Sequence, residues 1–462
     1  MKIDRILISN FKLFAKQEFA FHPSFNLVIG TNGCGKTSLL RAVAVAMGGW
    51  AHAYIRDVMN RRPIGESEIR EVQIDKRFDK SKNVRIEAWG EAAIVDRYGV
   101  PKTGKAQWQR YRVDAESQTQ TTGKIDYGNG TMYPLNFSNL GHDTLSYIEQ
   151  NKSFDLPIIA FYECDRLWLS KDEIDPVESA VVKYSRFDPY VDCFHTGADH
   201  KSLGQWLLKH ELASMQQKVD TPVLLSIRQA AKAALEGCSD LRFDFDEGRV
   251  VVEFTDGHAV PFEHLSDGQR TMLGLFCDLA RRAAILNPHF GGEASVKTSG
   301  VVLIDELDLH LHPKWQRRIV EELKSTFPKI QFICTTHSPQ LIGQAKPGEI
   351  IVLNLLPDQS VKSSVQEVAT KSEVDLLENR HPPQSFGMDS NWVLRHIMGS
   401  TDRDPKVATK LDAIFKLIDG AEFKQAQKGL DVLREEIGEH PELVEAQALI
   451  SRYTRFDTAP AG

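Results

Sequence analysis

The stretch Val301 to Pro313, VVLIDELDLHLHP, decides the fold. Four apolar residues run directly into Asp305 and Glu306, the pattern of a buried parallel strand delivering two carboxylates to its C-terminal edge. Such a pair suits nucleotide chemistry: Asp305 can hold a Mg²⁺ ion through its water, and Glu306 can polarise the water that attacks a γ-phosphate. Taken alone, the stretch is equally a buried strand ending in a solvated acidic turn, so its meaning depends on its company.

The first companion lies near the N-terminus. Residues 3–9 (IDRILIS) and 25–29 (FNLVI) read as strands, the first alternating and the second continuously apolar. The second runs into Gly30-Thr31-Asn32-Gly33-Cys34-Gly35-Lys36-Thr37-Ser38, which fits G-x-x-x-x-G-K-[ST] and is followed by the helical run SLLRAVAVAM. Glycines there let backbone N–H groups face the β-phosphate. Lys36 adds a point charge on the β- and γ-phosphates, and Thr37 offers its hydroxyl to Mg²⁺. Asn32, Gly33, Cys34, Gly35, Lys36, Thr37 and Ser38 are therefore the expected ATP contacts, with Thr37 and Asp305 as the expected Mg²⁺ pair.

The second companion is Leu265-Ser266-Asp267-Gly268-Gln269, which opens the helix TMLGLFCDLARRAAIL. Ser266 stands where an N-cap belongs, which would be sufficient for this stretch in isolation. A helix N-terminus fronted by small residues is also an anion site, so Ser266, Gly268 and Gln269 become γ-phosphate contacts in this setting. After the opening stretch, KWQRRIVEELKSTF reads as a helix and KIQFICTT as a strand ending at His337. If that strand neighbours the carboxylate strand, His337 reaches the γ-phosphate. Glu306, His337 and Lys36 are then the expected catalytic residues.

Bulk composition adds limits. The 462 residues are 42% hydrophobic and 26% charged with a formal charge of −7, so a general electrostatic coat for nucleic acid is excluded and any such binding needs a local patch. Six cysteines without C-x-x-C spacing argue against a zinc site or a disulfide framework and for a reduced, cytoplasmic setting. No 18 apolar residues run together, and the N-terminus lacks an uninterrupted apolar core, so neither a membrane span nor a signal peptide is expected.

Between the motifs the reading is coarser. Arg56, Arg61, Arg62, Lys76, Arg77, Lys80, Lys82 and Arg85 form either a solvated surface or a phosphate-contacting patch. Alternation predicts antiparallel strands over 84–95 and 108–116, with a turn-rich loop over 117–132. A core strand is expected within 155–168, closing on Arg166, which can face solvent or a phosphate, and Trp168. Two helices are expected over 201–236, split near Pro222, then a hairpin over 241–254 turning at Glu247-Gly248. From residue 375 a linker with a short helix leads to three helices over 404–457, with turns at Asp419-Gly420 and His440-Pro441. A helix-turn-helix unit of this kind does not close its own core and is expected to dock elsewhere.

In this order the motifs resemble those of the ABC-type ATPases of the chromosome-structure and recombination-repair group, and within it the small bacterial ATPases of anti-phage modules. ISNFKLF looks like their N-terminal I-x-N-F-[KR] motif, and DLHLHP, which contains Asp308 and His310, resembles their D-loop. FGMDSNWVLRHIMG with a helical C-terminus looks most like the ATPase subunit of Septu systems, also found beside some retrons. The resemblance implies an α/β head with a mixed sheet and an antiparallel β subdomain, a helical insertion and an all-α C-terminal extension. It places the head in residues 1–200 and 241–370, the insertion in 201–240, and a partner-docking region in 371–462. It also implies a homodimer or higher oligomer around ATP, a separate HNH-type nuclease, and DNA contact through that complex. Asp267 stands where many relatives carry glycine, the Q-loop is assigned only to Gln73 or the Phe161–Arg166 region, and no intrinsic nuclease motif is present. A stand-alone DNA-binding repair ATPase and a non-hydrolysing ATP sensor are the alternatives.

Overall fold

The computed structural model describes residues 1–54, 62–74, 77–96, 98–150, 152–164, 185–191, 193–194, 200–218, 220–355, 377–380, 385–399 and 404–457. Arg56, Arg61, Lys76, Arg166 and Trp168 lie outside them, as does the boundary expected at 371. The chain divides into two compact units, Met1–Met388 and Asp389–Gly462.

The first unit is built on a mixed six-stranded sheet. Its order is Ile158–Tyr162, Gly300–Ile304, Ile330–Thr335, Phe25–Gly30, Ile350–Leu355 and Leu377–Arg380. The first five strands are parallel and the last is antiparallel. Continuous apolar runs such as IIAFY and GVVLI are buried along their whole length, as strands covered on both faces must be. The carboxylate strand and the P-loop strand are not neighbours: Ile330–Thr335 lies between them, with Ile304 opposite Cys334 and Val28 opposite Thr335. That register places Thr335 level with both motifs.

A second six-stranded sheet is wholly antiparallel, in the order Phe14–Ala20, Lys2–Phe11, Val84–Val95, Pro101–Arg112, Gln120–Asp126 and Tyr133–Leu135. Its inner face, with Ile6, Ile8, Ile86, Ala88, Trp108 and Ile125 buried, accompanies the P-loop helix Lys36–Tyr54. Trp108 Nε1–H donates to Ala46 O at 3.0 Å and Arg110 Nη1–H to Val45 O at 2.8 Å, while the Trp50 ring meets Trp108 edge-on at 5.5 Å. The two sheets are tied by the buried Gln331 amide, which accepts from Ile3 N–H at 2.8 Å and donates to Ile3 O at 2.8 Å.

Several expectations are corrected here. The strand placed at 108–116 is Pro101–Arg112, because its full pairing with Val84–Val95, from Val95↔Pro101 to Val84↔Arg112, sets its extent. The loop expected over 117–132 contains the strand Gln120–Asp126, and the apparent linker near 377 pairs with Ile350–Leu355. Phe14–Ala20 forms a hairpin with the first strand. KWQRRIVEELKSTF is two short helices, Pro313–Gln316 and Ile319–Thr326, separated at Arg317-Arg318.

The helices His200–Gln217 and Pro222–Ala234 and the hairpin Cys238–Asp244 with Arg249–Phe254 form as expected. Thr221 caps the second helix, with Pro222 in its first turn. In the second unit, Pro405–Asp419, Phe423–Ile437 and Pro441–Asp457 are helices. Leu411, Ile414, Leu430, Leu433, Leu443 and Ala446 form a shared core among them. The expectation that this region cannot close a core is corrected, because the third helix covers the apolar faces a pair would leave open.

Candidate nucleotide site

The P-loop leaves the strand Phe25–Gly30 through a turn that side chains cannot enter. Gly30 has φ +149°, and a Cβ there would lie 2.1 Å from Leu353 O. Gly35, at φ +101°, would place one 3.1 Å from the Phe14 ring, so the hairpin Phe14–Ala20 backs the loop. Lys36 is 8% exposed. Its Nζ donates to Gly30 O at 2.9 Å and Thr31 O at 3.0 Å, so the ammonium is folded over the loop it must serve. Burial lowers its pKa below the ordinary lysine value, against the opposing pull of Cys34, Asp305, Glu306 and Asp308. Cys34 is buried within the loop, and burial pushes its thiol pKa up. Asn32 and Gly33 lie at the exposed crest, and Thr37 and Ser38 begin the helix.

Across the sheet, Asp305 is 2% exposed. Thr37 Oγ1–H donates to its Oδ2 at 2.8 Å and Thr335 Oγ1–H to its Oδ1 at 2.5 Å. A carboxylate and a hydroxyl in contact at a strand end and a helix N-terminus form an all-oxygen donor set that fits Mg²⁺. The next residue turns sharply: Glu306 has φ +50°, a conformation that costs a non-glycine residue about 1–2 kcal/mol. Glu306 N–H donates to Thr335 Oγ1 at 2.7 Å and Leu307 N–H to Thr335 O at 2.8 Å, which holds the turn. Glu306 itself is half-buried at the sheet edge.

The D-loop is secured from the same side. Thr336 Oγ1–H donates to Asp308 Oδ1 at 2.5 Å, and the half-buried His337 gives its backbone N–H to the same oxygen at 3.4 Å. Gln316 Nε2 donates to Leu311 O at 2.8 Å and its Oε1 accepts from Ser338 Oγ at 2.7 Å. His310, exposed, has φ +62°.

The signature residues occupy a different cleft of roughly 720 Å³, lined in part by Glu236, Ser266, Gly268, His310, His312 and Trp315. Ser266 caps the helix Asp267–Leu286 in a capping box: Gln269 N–H reaches Ser266 Oγ at 3.4 Å, and Ser266 N–H donates to Gln269 Oε1 at 3.0 Å. Gly268 leaves no room for a side chain, since a Cβ would sit 2.6 Å from both His310 O and the Trp315 ring. Asp267 is bonded to Arg270 within the first turn. The structure thus brings Lys36, Thr37, Asp305 and Glu306 to one sheet edge, with His337 at the end of the intervening strand, and places Ser266, Gly268 and Gln269 beside the D-loop.

Sequence reasoning missed Thr335, Thr336 and Gln316. The two threonines read as ordinary β-branched strand residues, and only the register Ile304↔Cys334 reveals that Thr335 stands opposite Asp305. Of the Q-loop candidates, Gln73 lies opposite Phe78 in the small hairpin Glu71–Ile74 with Arg77–Lys80. At the other, Glu163 is paired with Arg41 of the P-loop helix at 3.3 Å. Behind the site, Tyr162 Oη–H donates to the buried Asp278 at 2.6 Å. Burial pushes the Asp278 carboxyl up, but Arg282 and Arg281 outweigh it and hold it well below the usual carboxylate range.

A family model described as an AAA domain matches residues 5–232. A second AAA-domain model, whose description refers to an AbiEii toxin of a type IV toxin–antitoxin system, matches residues 145–343. The retron Vc95 probable ATPase of Vibrio cholerae is 24% identical over 77% of this chain and 74% of its own length. The Septu protein PtuA of Bacillus thuringiensis is 35% identical over 24% of this chain, but the match spans only 28% of that relative. An SMC head solved with the C-winged helix domain of ScpA is 14% identical, covers 77% of this chain and 95% of that one, and has a TM-score of 0.45. Among the described residues, no helix is long and apolar enough to cross a membrane.

Proposed function

Because AAA-domain models match residues 5–232 and 145–343 and the chain is similar to the retron and Septu ATPases, we propose that it is an ABC-type ATPase that binds and hydrolyses ATP between two copies of itself and so gates a separate nuclease. The observation that carries this reading is the bonded set Thr37, Asp305, Thr335 and Glu306 at one sheet edge, beside a P-loop onto which Lys36 is folded.

Lys36 exchanges the carbonyl oxygens of Gly30 and Thr31 for the β- and γ-phosphate oxygens of ATP. Thr37 and Asp305 are the residues that would hold Mg²⁺, which would neutralise developing charge on the phosphates. Glu306 takes the proton of the attacking water, and His337 orients toward the γ-phosphate from the end of the central strand. Ser266 and Gly268 of the partner copy close the far side of the nucleotide, since in their own chain they lie beside the D-loop rather than the P-loop. Loss of the γ-phosphate then loosens the pair. By its likeness to the retron and Septu proteins, the gated partner is an HNH-type nuclease, with DNA engaged through the complex.

Glu306→Gln tests the reading: ATP binding is retained, hydrolysis falls by roughly two orders of magnitude or more, and ATP-bound dimers accumulate on size-exclusion chromatography. Turnover at the wild-type rate in that variant removes Glu306 from the mechanism. One observation favours a second reading, direct DNA binding. On the outer face of the antiparallel sheet, the Arg5 guanidinium lies 3.8 Å from the Trp89 ring centre and that of Arg85 lies 5.9 Å from Tyr111. Salt-dependent DNA binding by the purified chain alone decides for it.

A further inference from the structure

Thr335 is buried with no solvent exposure, yet its hydroxyl has two polar partners, both at the candidate hydrolytic centre. It donates to Asp305 Oδ1 at 2.5 Å and accepts from Glu306 N–H at 2.7 Å, and the carbonyl of the same residue accepts from Leu307 N–H at 2.8 Å. One side chain therefore holds the metal-site carboxylate and pins the backbone of the proposed base in its left-handed turn at φ +50°. We propose that Thr335 is a positioning residue for ATP hydrolysis: it fixes the Asp305 carboxylate for the metal ion and the Glu306 backbone for the attack, without touching the nucleotide.

The division of labour on Asp305 supports this. Its Oδ2 is bonded to Thr37, the hydroxyl expected to turn to the ion, and its Oδ1 to Thr335, which lies one strand away from the P-loop helix. Were Thr37 to turn from Oδ2 to the ion, Thr335 would still orient the carboxylate. A hydroxyl serves because it can donate to one neighbour and accept from the other at once. Valine, equal in shape, leaves a buried carboxylate oxygen and a buried N–H without these bonds, and it releases the strained turn.

The proposal rests on the ATPase reading above, and the test separates the two. Full-length Thr335→Val and Thr335→Ser are compared with wild type for ATP turnover and for binding of a fluorescent ATP analogue, with and without Mg²⁺. Thr335→Val is expected to lower kcat by about tenfold or more and to raise the Mg²⁺ concentration that half-saturates binding, while affinity in EDTA stays unchanged. Thr335→Ser, which keeps the hydroxyl, is expected to stay within about twofold of wild type. Thr335→Cys, with a poor donor, gives the same pattern more weakly and replaces Thr335→Val if that variant aggregates. Wild-type kcat and Mg²⁺ dependence in Thr335→Val, or a serine variant as impaired as the valine one, overturns the proposal. If wild type itself shows no turnover, the hydrolysis reading fails, and the Mg²⁺ dependence of analogue binding still decides the role of Thr335.

Discussion

At the edge of the parallel sheet, Lys36 is folded onto its own loop while Thr37, Asp305, Thr335 and Glu306 are bonded to one another across one helix and the ends of two strands. At the mouth of the helix Asp267–Leu286, Ser266 and Gln269 are bonded to each other inside one helical turn, and Gly268 is pressed against His310 and Trp315. The first region is assembled by its own chain and holds the charge, the metal pair and the base that the proposed reaction needs. The second is a preformed helix N-terminus in a cleft beside the D-loop, lined by none of the P-loop residues. The contrast is what the proposed trans arrangement would use, each chain lending the partner a part that it does not bring to its own P-loop.

The largest effect should come from separating the halves. Lys36→Ala is expected to weaken ATP binding by roughly two orders of magnitude. Ser266→Arg should leave ATP binding within about threefold and abolish turnover, because it alters only the surface offered to the partner. Mixing the two inactive variants in equal amounts should restore about a quarter of wild-type turnover, since half the dimers are mixed and one of their two sites is intact. An ATPase assay on the mixture reads this directly, and no recovery places the signature in cis.

A smaller effect sharpens the second region. Gly268→Ala puts a methyl group where His310 O and Trp315 already stand, which costs about 1–3 kcal/mol of strain unless the D-loop shifts. The expected result is a Tm lowered by a few degrees in calorimetry, with reduced turnover and ATP affinity unchanged.

The smallest effect lies away from both regions. Burial lowers the His210 pKa from 6.5 to about 4, with Lys209 adding to the shift, and the ring lies against Trp206 at 3.9 Å between centres. The folded state therefore resists protonation that the unfolded chain accepts. The stability this contributes is full above pH 6.5 and is lost as pH falls from 6.5 toward 4. Thermal unfolding at pH 7.5 and 5 should show a smaller decline for His210→Gln than for wild type, with nucleotide binding at pH 7.5 unaffected.

How much of this was legible in the sequence follows from where the determining forces act. The P-loop strand, the carboxylate strand and the Ser266 cap depend on local patterns, namely a buried apolar run, glycine spacing and a capping box, and they lie where their residues point. Gln120–Asp126 did not announce itself, because of its seven residues only Ile125 is buried and the rest are held by pairing with Pro101–Arg112. The left-handed turn at Glu306 and the threonine bonds were hidden for another reason. They depend on which strand lies between the two motifs, and that is a property of sheet order rather than of any local run.

The Gln331 amide has a consequence for distance. It anchors one end of the strand Ile330–Thr335 to Ile3 of the antiparallel sheet, while Thr335 at the other end grips Asp305. From Gln331 to Thr335 the extended chain spans about 13 Å. A strand clamped at both ends acts as a ruler: it fixes how far the carboxylates can stand from the outer lobe. Anything that pushes the lobe outward must either pull the Gln331 amide from its two bonds to Ile3 or drag Thr335 off the carboxylate it holds.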